Sequence, residues 1–415
     1  MKKKYYHKIF HIDVNSAYLS WEAAYRLQKG ASVDLREIPS AVGGDKDQRR
    51  GIVLAKSIPA KAFDIKTGEP LGSALDKCPQ LEVVPANFER YLIASQALMD
   101  LVEGYSPLVQ RFSVDEMFLD YEGRMDPVLY ADMIRKDVKK TLGFTVNIGI
   151  GDNKLLAKMA SDFIKPDMTH TLYKEEIPSK MWPLYIRDLF MIGSRTEAKL
   201  LSRGVETIGD LARLSPDYIY RWLKKPGLTI WEYANGLESS PVDPSSPPVK
   251  SIGNSTTTPF DVDTEKEALM FILALSEMVG LRLRALGLKA QRISISLKYK
   301  DFTSFSTQRK TFSPMESTSS IYEEAKDLFQ GFWNKAPLRK LGVRVSSLVP
   351  SDSWQMSLFS KEEDPVELSR TIDGIRQEYG LGSIYRSSFL NSGIAPIIGG
   401  TQEDLDYPVM TSRLD

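Results

Sequence analysis

The sequence predicts an α+β chain of several domains, and three observations carry that expectation. Short apolar runs, Lys8 to Val14 (KIFHIDV) and Thr145 to Gly151 (TVNIGIG), read as buried strands. Residues 124 to 142 instead place Val128, Ala131, Met133, Ile134, Val138 and Leu142 at helical spacing. Between the two halves, Ser239 to Val249 (SSPVDPSSPPV) is too rich in Pro and Ser for a regular element and reads as a linker.

The chain has 415 residues and 42% hydrophobic content, enough for two to four domains with cores of their own. No apolar run approaches the roughly eighteen residues of a membrane span, and the MKKKYY start has no signal-like stretch, so a cytoplasmic protein is expected. The single Cys78 excludes an internal disulfide and reads as a small core residue. With only His7, His11 and His170 beside it, a Cys/His zinc site is disfavoured. Basic and acidic residues balance at 54 each, but residues 245–350 hold fifteen basic against ten acidic, and residues 361–415 five against ten. A basic module followed by an acidic stretch suits a chain in which one part holds phosphates.

Carboxylates in apolar surroundings are the strongest chemical signal. Asp13 ends the first strand, and Asp115 and Glu116 lie in a strand-like run, Val109 to Tyr121 (VQRFSVDEMFLDY). Alone, an Asp-Glu pair marks a solvated turn as readily as a site. Two strands that deliver carboxylates to one place, however, make a site for hard divalent cations, which take oxygen ligands and bridge phosphates. Three such groups suit phosphoryl transfer with two ions. Neighbours on a regular strand face opposite ways, so a tight turn or bulge is expected at Asp115 and Glu116.

Other segments are read in chain order. The loop 41–51 (AVGGDKDQRRG) lacks the Gly-Lys-Ser/Thr ending of a P-loop and is a turn with solvated charge. Asn153 caps a helix, with Lys154, Lys158 and Lys165 following; Lys154 is expected to be solvated. Leu189 to Leu211 divides into two short helices about Ile192-Gly193-Ser194-Arg195, a hairpin whose glycine lets backbone N–H groups approach a phosphate. Arg292 to Lys300 alternates, with Ile293, Ile295, Leu297 and Tyr299 opposite Arg292, Ser294, Ser296, Lys298 and Lys300. Lys340 to Ser346 repeats the pattern, with Leu341, Val343 and Val345 opposite Lys340, Arg344 and Ser346. These strands suit a sheet with one face on helices and a cationic face along a phosphate backbone.

Six ordered blocks, HIDVNSAYLSWE (11–22), GIVLAKSIPAKAFDIKTGEP (51–70), SPLVQRFSVDEMFLDYEG (106–123), NIGIGDNKLLAKMASDFIKP (147–166), MIGSRTEAKLLSRGVETIGDLA (191–212) and KSIGNSTTT (250–258), resemble the Y-family (translesion) DNA polymerases. The resemblance covers roughly residues 8 to 359. Asn15 and the AKAF run at 60–63 look closest to the UmuC-like and UvrX-like subgroup of this ImpB/MucB/SamB family.

The resemblance implies a right hand with its palm in 1–25 and 80–170, fingers in 26–79 and a helix-hairpin-helix thumb in 171–240. A linker at 241–249, a little finger at 250–350 and a tail at 351–415 follow. It implies synthesis opposite damaged template in the SOS damage response, with two Mg2+ ions, or Mn2+ in their place, on Asp13, Asp115, Glu116 and the Val14 carbonyl. Tyr18 matches the steric gate against ribonucleotides, and Lys61 and Lys165 match positions that meet the triphosphate, although Ile58 and Pro59 replace the usual aromatic and acid before Lys61. Gly193 and Arg195, then Arg292, Lys298, Lys300, Lys340 and Arg344, are the expected DNA contacts; Met191 stands where family members usually carry another glycine. Gln355, Leu358 and Phe359 look like a sliding-clamp peptide. Implied partners are primer-template DNA, dNTP and the clamp, with a recombinase filament or accessory subunit left open. Two other classes compete: a non-catalytic DNA- and clamp-binding accessory, against which three intact carboxylates argue, and a nucleotidyl cyclase drawing on Gly43-Gly44-Asp45, which has no use for the hairpin, the basic sheet or the clamp peptide.

Overall fold

The computed structural model describes residues 5–44, 51–245, 248–352, 366–396 and 414. Two compact units result, one of Met1–Gly43, Val53–Pro247 and Pro408–Asp415, the other of Gly44–Ile52 and Pro248–Tyr407.

In the first unit, β1 (Tyr6–Val14) is followed by α1 (Ala17–Gln28), β2 (Ser40–Gly43), β3 (Val53–Lys56), α2 (Ile58–Lys61), α3 (Leu71–Lys77), β4 (Glu82–Pro85) and α4 (Phe88–Glu103). There follow β5 (Val109–Arg111), β6 (Glu116–Gly123), α5 (Pro127–Leu142), β7 (Val146–Gly151), α6 (Lys154–Ser161) and β8 (Thr169–Leu172). Strands β5-β6-β1-β7-β8 form one sheet and β3-β2-β4 a small one. The apolar run of β1 takes the centre of the large sheet, and its last six residues, Ile9 to Val14, are buried. A central strand covered on both faces has no need of polar alternation, which is why its run is continuous.

The stretch Val109 to Tyr121 is not one strand. It is a hairpin, with Val109 opposite Leu119 and Arg111 opposite Met117, and its turn comes just before Glu116. The turn expected at the paired carboxylates is therefore present, in a sharper form than a bulge.

Helix α6 lies directly on β7. A Cβ at Gly149 would sit 2.0 Å from the Ala157 carbonyl oxygen, and one at Gly151 2.4 Å from the Ala157 nitrogen, so glycine at both positions sets this approach. One result corrects the sequence expectation: all of α6 is buried, including Lys154, which donates to Gln110 Oε1 at 3.3 Å and to the Leu414 carbonyl. The Asn153 cap is as expected, its side chain accepting from Leu156 N–H.

Beyond β8, α7 (Ser194–Leu201), α8 (Ile208–Arg213) and α9 (Pro216–Ala234) form a helical body around Leu200, Ile208, Leu211 and Ile230. The hairpin differs from expectation in its first arm, a single 3-10 turn at Ile186–Asp188. Met191 holds φ at 74°, a left-handed conformation that suits glycine, whereas Gly193 has φ −91° and open space where a Cβ would point. The unusual backbone has moved off the retained glycine.

The second unit contains β9 (Ser251–Val262), α10 (Glu265–Ala285), β10 (Leu288–Tyr299), β11 (Ser304–Met315), α11 (Thr318–Phe332), β12 (Leu338–Pro350) and α12 (Val366–Tyr379). Its antiparallel sheet has the order β11-β10-β12-β9 and buries Ile293, Ile295, Leu297, Leu341, Val343 and Val345 against α10 and α11. The alternation read from sequence is thus the inside and outside of this sheet. Residues 366–394, read as part of a tail, are folded onto the same core: Phe389 and Ile394 join it, and Arg376 and Arg386 reach Glu277 at 2.8 and 2.7 Å.

Candidate active site

Register brings the first two carboxylates together. β1 pairs antiparallel with β6 so that Asp13 lies opposite Glu116, and the Val14 N–H donates to the Asp115 carbonyl at 3.0 Å. Asp115, on the hairpin turn, accepts from Ser113 Oγ at 2.6 Å. The three acids therefore meet where the central strand runs out, and Asp115 and Glu116 both add to the negative field felt by Asp13.

Two of the three acids, buried Asp13 and partly buried Glu116, each have a lysine. Lys158 of α6, 7% exposed, donates to Glu116 Oε1 at 2.6 Å, and Lys165 donates to Asp13 Oδ2 and to Asp162 at 2.8 Å. Burial and the neighbouring carboxylates outweigh Lys165 and push Asp13 up to about 7. Burial opposes the charge of Lys165 as well, but Asp13 and Asp162 overcome it and hold this lysine above its usual value. Burial is the largest of these effects and keeps Asp13 hard to ionise even beside a lysine.

Beneath these groups lies fully buried His11, two residues before Asp13 on the same strand face. Its Nδ1 meets Ser161 Oγ at 2.8 Å, its Nε2 lies 4.0 Å from Glu116 Oε1, and burial, Lys158 and Lys165 keep it well below the usual histidine pKa. Asn15 and Asn147 complete the frame. Asn15 donates to Asn147 Oδ1 and accepts from Asp167 N–H, while Asn147 donates to the Ser161 and Ile164 carbonyls, so the end of β1 is tied to the loop that carries Lys165. Lys158, His11 and Asn147 were not singled out from sequence; the available signal was a lysine between apolar pairs, in Leu156-Ala157-Lys158-Met159-Ala160.

The donors gathered here are oxygens, as hard divalent cations require. Among the described residues no three acidic, His or Cys side chains stand in metal-binding geometry, and lysines pair with Asp13 and Glu116. The residues present fit such ions in donor type and in unbalanced charge.

Other expected site residues belong to other elements. Tyr18 is half-buried on the first turn of α1, and Lys61 is exposed at the end of α2. Gly193 and Arg195 begin α7. In the second unit Arg292, Lys298, Lys340 and Arg344 share the sheet's outer face with Lys310, which sequence reading missed. Lys298 stands directly opposite Lys340, and Arg292 opposite Lys310, and none of these five makes an ion pair among the described residues. Between these two pairs lie Ser294, Ser296, Ser306 and Gly342 together with Gln308 and Arg344, and they line a cavity of about 730 Å3. Lys300 departs from expectation: it follows β10 in a turn and pairs with Asp261 at 3.3 Å. Gln355, Leu358 and Phe359 lie outside the described residues.

Comparison with known proteins bears on this arrangement. A model of the impB/mucB/samB family matches residues 12–162, and one of that family's C-terminal domain matches residues 249–358. DNA polymerase IV of Clostridium acetobutylicum is 41% identical over 92% of this chain and 98% of its own, and that of Acetivibrio thermocellus 37% over 92% and 97%. DNA polymerase IV 2 of Bacillus subtilis is 35% identical over 92% and 95%. A solved Y-family DNA polymerase chimera superposes with a TM-score of 0.71 at 20% identity, covering 83% of this chain and 99% of that one. The chain belongs to the impB/mucB/samB family and has the fold of the Y-family DNA polymerases. These relatives are named DNA polymerase IV, and their names do not bear on the UmuC-like and UvrX-like leaning drawn from Asn15 and residues 60–63. Among the described residues no helix is long and apolar enough to cross a membrane.

Proposed function

We propose that the chain is a DNA-directed DNA polymerase of the translesion type, acting in the cytoplasm on primer-template DNA and dNTP in the repair of damage. The observation that carries this reading is the cross-strand register that sets Asp13 against Glu116, with Asp115 one hydrogen bond from Val14. Asp13, Asp115, Glu116 and the Val14 carbonyl would hold two Mg2+ ions, or Mn2+. Bound there, such ions lower the charge barrier to attack by the primer 3′-hydroxyl on the α-phosphate. What the chain itself supplies is position and charge. Lys158 and Lys165 are counter-ions of the acids in the ion-free protein. Lys165, which pairs with Asp13 here, would meet the triphosphate alongside Lys61. Tyr18 then stands in the path of a ribose 2′-hydroxyl.

DNA is gripped by the outer face of the second unit and by the turn at Gly193 and Arg195. Like charges placed directly opposite one another destabilise a sheet, and a polyanion relieves that repulsion. The peptide of Gln355, Leu358 and Phe359 docks on a sliding clamp. Incubation with primed template, dNTPs and Mg2+ tests the reading: extension that increases with added clamp is expected, and DNA binding without extension would replace it with the accessory role.

A further inference from the structure

Tyr18 is held from behind. Tyr91 of α4 stacks on it with ring centroids 4.8 Å apart and planes 18° from parallel, and Phe88 meets it edge-on at 5.9 Å. Trp21 touches both tyrosines at 5.9 Å. Tyr91 is only 1% exposed, so the ring of Tyr18 cannot recede without displacing a core side chain.

The two helices are also fastened together. Glu22 of α1, one turn beyond Tyr18 and buried, accepts from Arg90 of α4 at 2.5 Å and from Arg26 at 3.0 Å. The Arg90 guanidinium lies 3.6 Å over the Tyr25 ring. Meanwhile the Tyr91 hydroxyl is buried beside the Asn87 backbone. What this position presents to Tyr18 is the flat face of the ring.

We propose that Tyr91 is a positioning residue for sugar selection, the wall that holds Tyr18 in place against a ribonucleotide. The proposal rests on the reading of Tyr18 as the gate. Its physical basis is that a merely apolar pocket rejects an added hydroxyl poorly, so discrimination requires a ring that cannot yield. Tyr18 supplies the ring and α4 the resistance. Removing the Tyr91 ring opens space behind Tyr18 and lets it turn aside.

The test is single-nucleotide insertion by the full chain, with a dNTP and the matching rNTP opposite one template base, kcat and KM measured separately, together with Tm. Tyr91→Ala should lower dNTP over rNTP selectivity by roughly three- to tenfold, the range an aromatic pair commands, through a rise in rNTP kcat/KM. Tyr91→Phe should retain the wild-type ratio. In a Tyr18→Ala background, Tyr91→Ala should add nothing, because it acts through Tyr18. Selectivity unchanged in Tyr91→Ala despite a lower Tm would reduce Tyr91 to a packing residue and overturn the proposal, as would an undiminished effect without Tyr18. If Tyr91→Ala does not fold, Tyr91→Leu keeps bulk without the flat face and carries the same expectations. Selectivity unchanged in Tyr18→Ala alone would instead remove the gate reading, a result separable from the others.

Discussion

The carboxylate centre of the first unit and the cationic face of the second treat charge in opposite ways. At the centre, Glu116 has Lys158 and Asp13 has Lys165, inside a frame of buried polar bonds. On the outer sheet face, Lys298 faces Lys340 and Arg292 faces Lys310, with no acid to separate them. Buried charge must be compensated within the chain, because desolvation of an isolated ion is too costly; exposed charge is screened by water and salt and can be left for a ligand. The difference separates charge that the chain itself compensates from charge that it leaves exposed. Residues 366–394 follow the first pattern: Arg376 and Glu277, 2% and 3% exposed, are paired, so this segment belongs to the body of the second unit.

Asp115→Ala or Glu116→Ala should break the first side of the contrast most severely. Extension should fall at least a thousandfold with primer-template binding nearly unchanged, as the proposed DNA-gripping role of the other surface requires. Loss of less than tenfold in single-turnover extension would remove these acids from the chemistry.

Arg376→Ala should cost about 3 kcal/mol of second-unit stability, since it leaves Glu277 buried with one partner fewer. Denaturant unfolding measures this, and a loss below about 0.5 kcal/mol would return residues 366–394 to the status of an appended tail.

Lys298→Ala with Lys340→Ala sharpens the second side. Removal of facing like charges should leave Tm level or slightly higher, while primer-template binding weakens for every sequence and the log-log salt slope flattens by about 0.9 for each lost duplex phosphate contact. Weakening confined to one sequence would mean that the face reads bases.

The smallest effect is expected from Asp13→Asn in the metal-free protein. Asp13 is raised to about 7 in the fold, so from about pH 4 to pH 7 the native state binds a proton more tightly than the unfolded chain does. Ionised Asp13 therefore lowers stability progressively as pH rises through that window. Asparagine should raise metal-free Tm at pH 7.5 by about 2–4 °C, corresponding to about 1 kcal/mol after loss of the Lys165 pair, and the gain should vanish near pH 4. A lower Tm at pH 7.5 would show that the lysine pair outweighs burial.

Much of this was legible in the chain itself. KIFHIDV predicted the central strand because a strand covered on both faces shows a continuous apolar run, and RISISLKYK predicted both faces of the outer sheet because the side-chain period of a strand is two. Adjacent acids at 115 and 116 required a turn for the same geometric reason, and a turn is there.

What tertiary structure alone decided concerns partners distant in sequence. Lys154 read as an ordinary solvated lysine, yet all of α6 is buried, and Gly149 and Gly151 set the close approach of that helix to β7. Tyr18 read as one aromatic until α4 brought Tyr91 behind it, and the like-charge pairs arose only when register set β10 between β11 and β12. Periodicity records which face of its own element a residue occupies. What that face meets is fixed by how elements pack, and burial, pKa and opportunity for catalysis follow from that meeting.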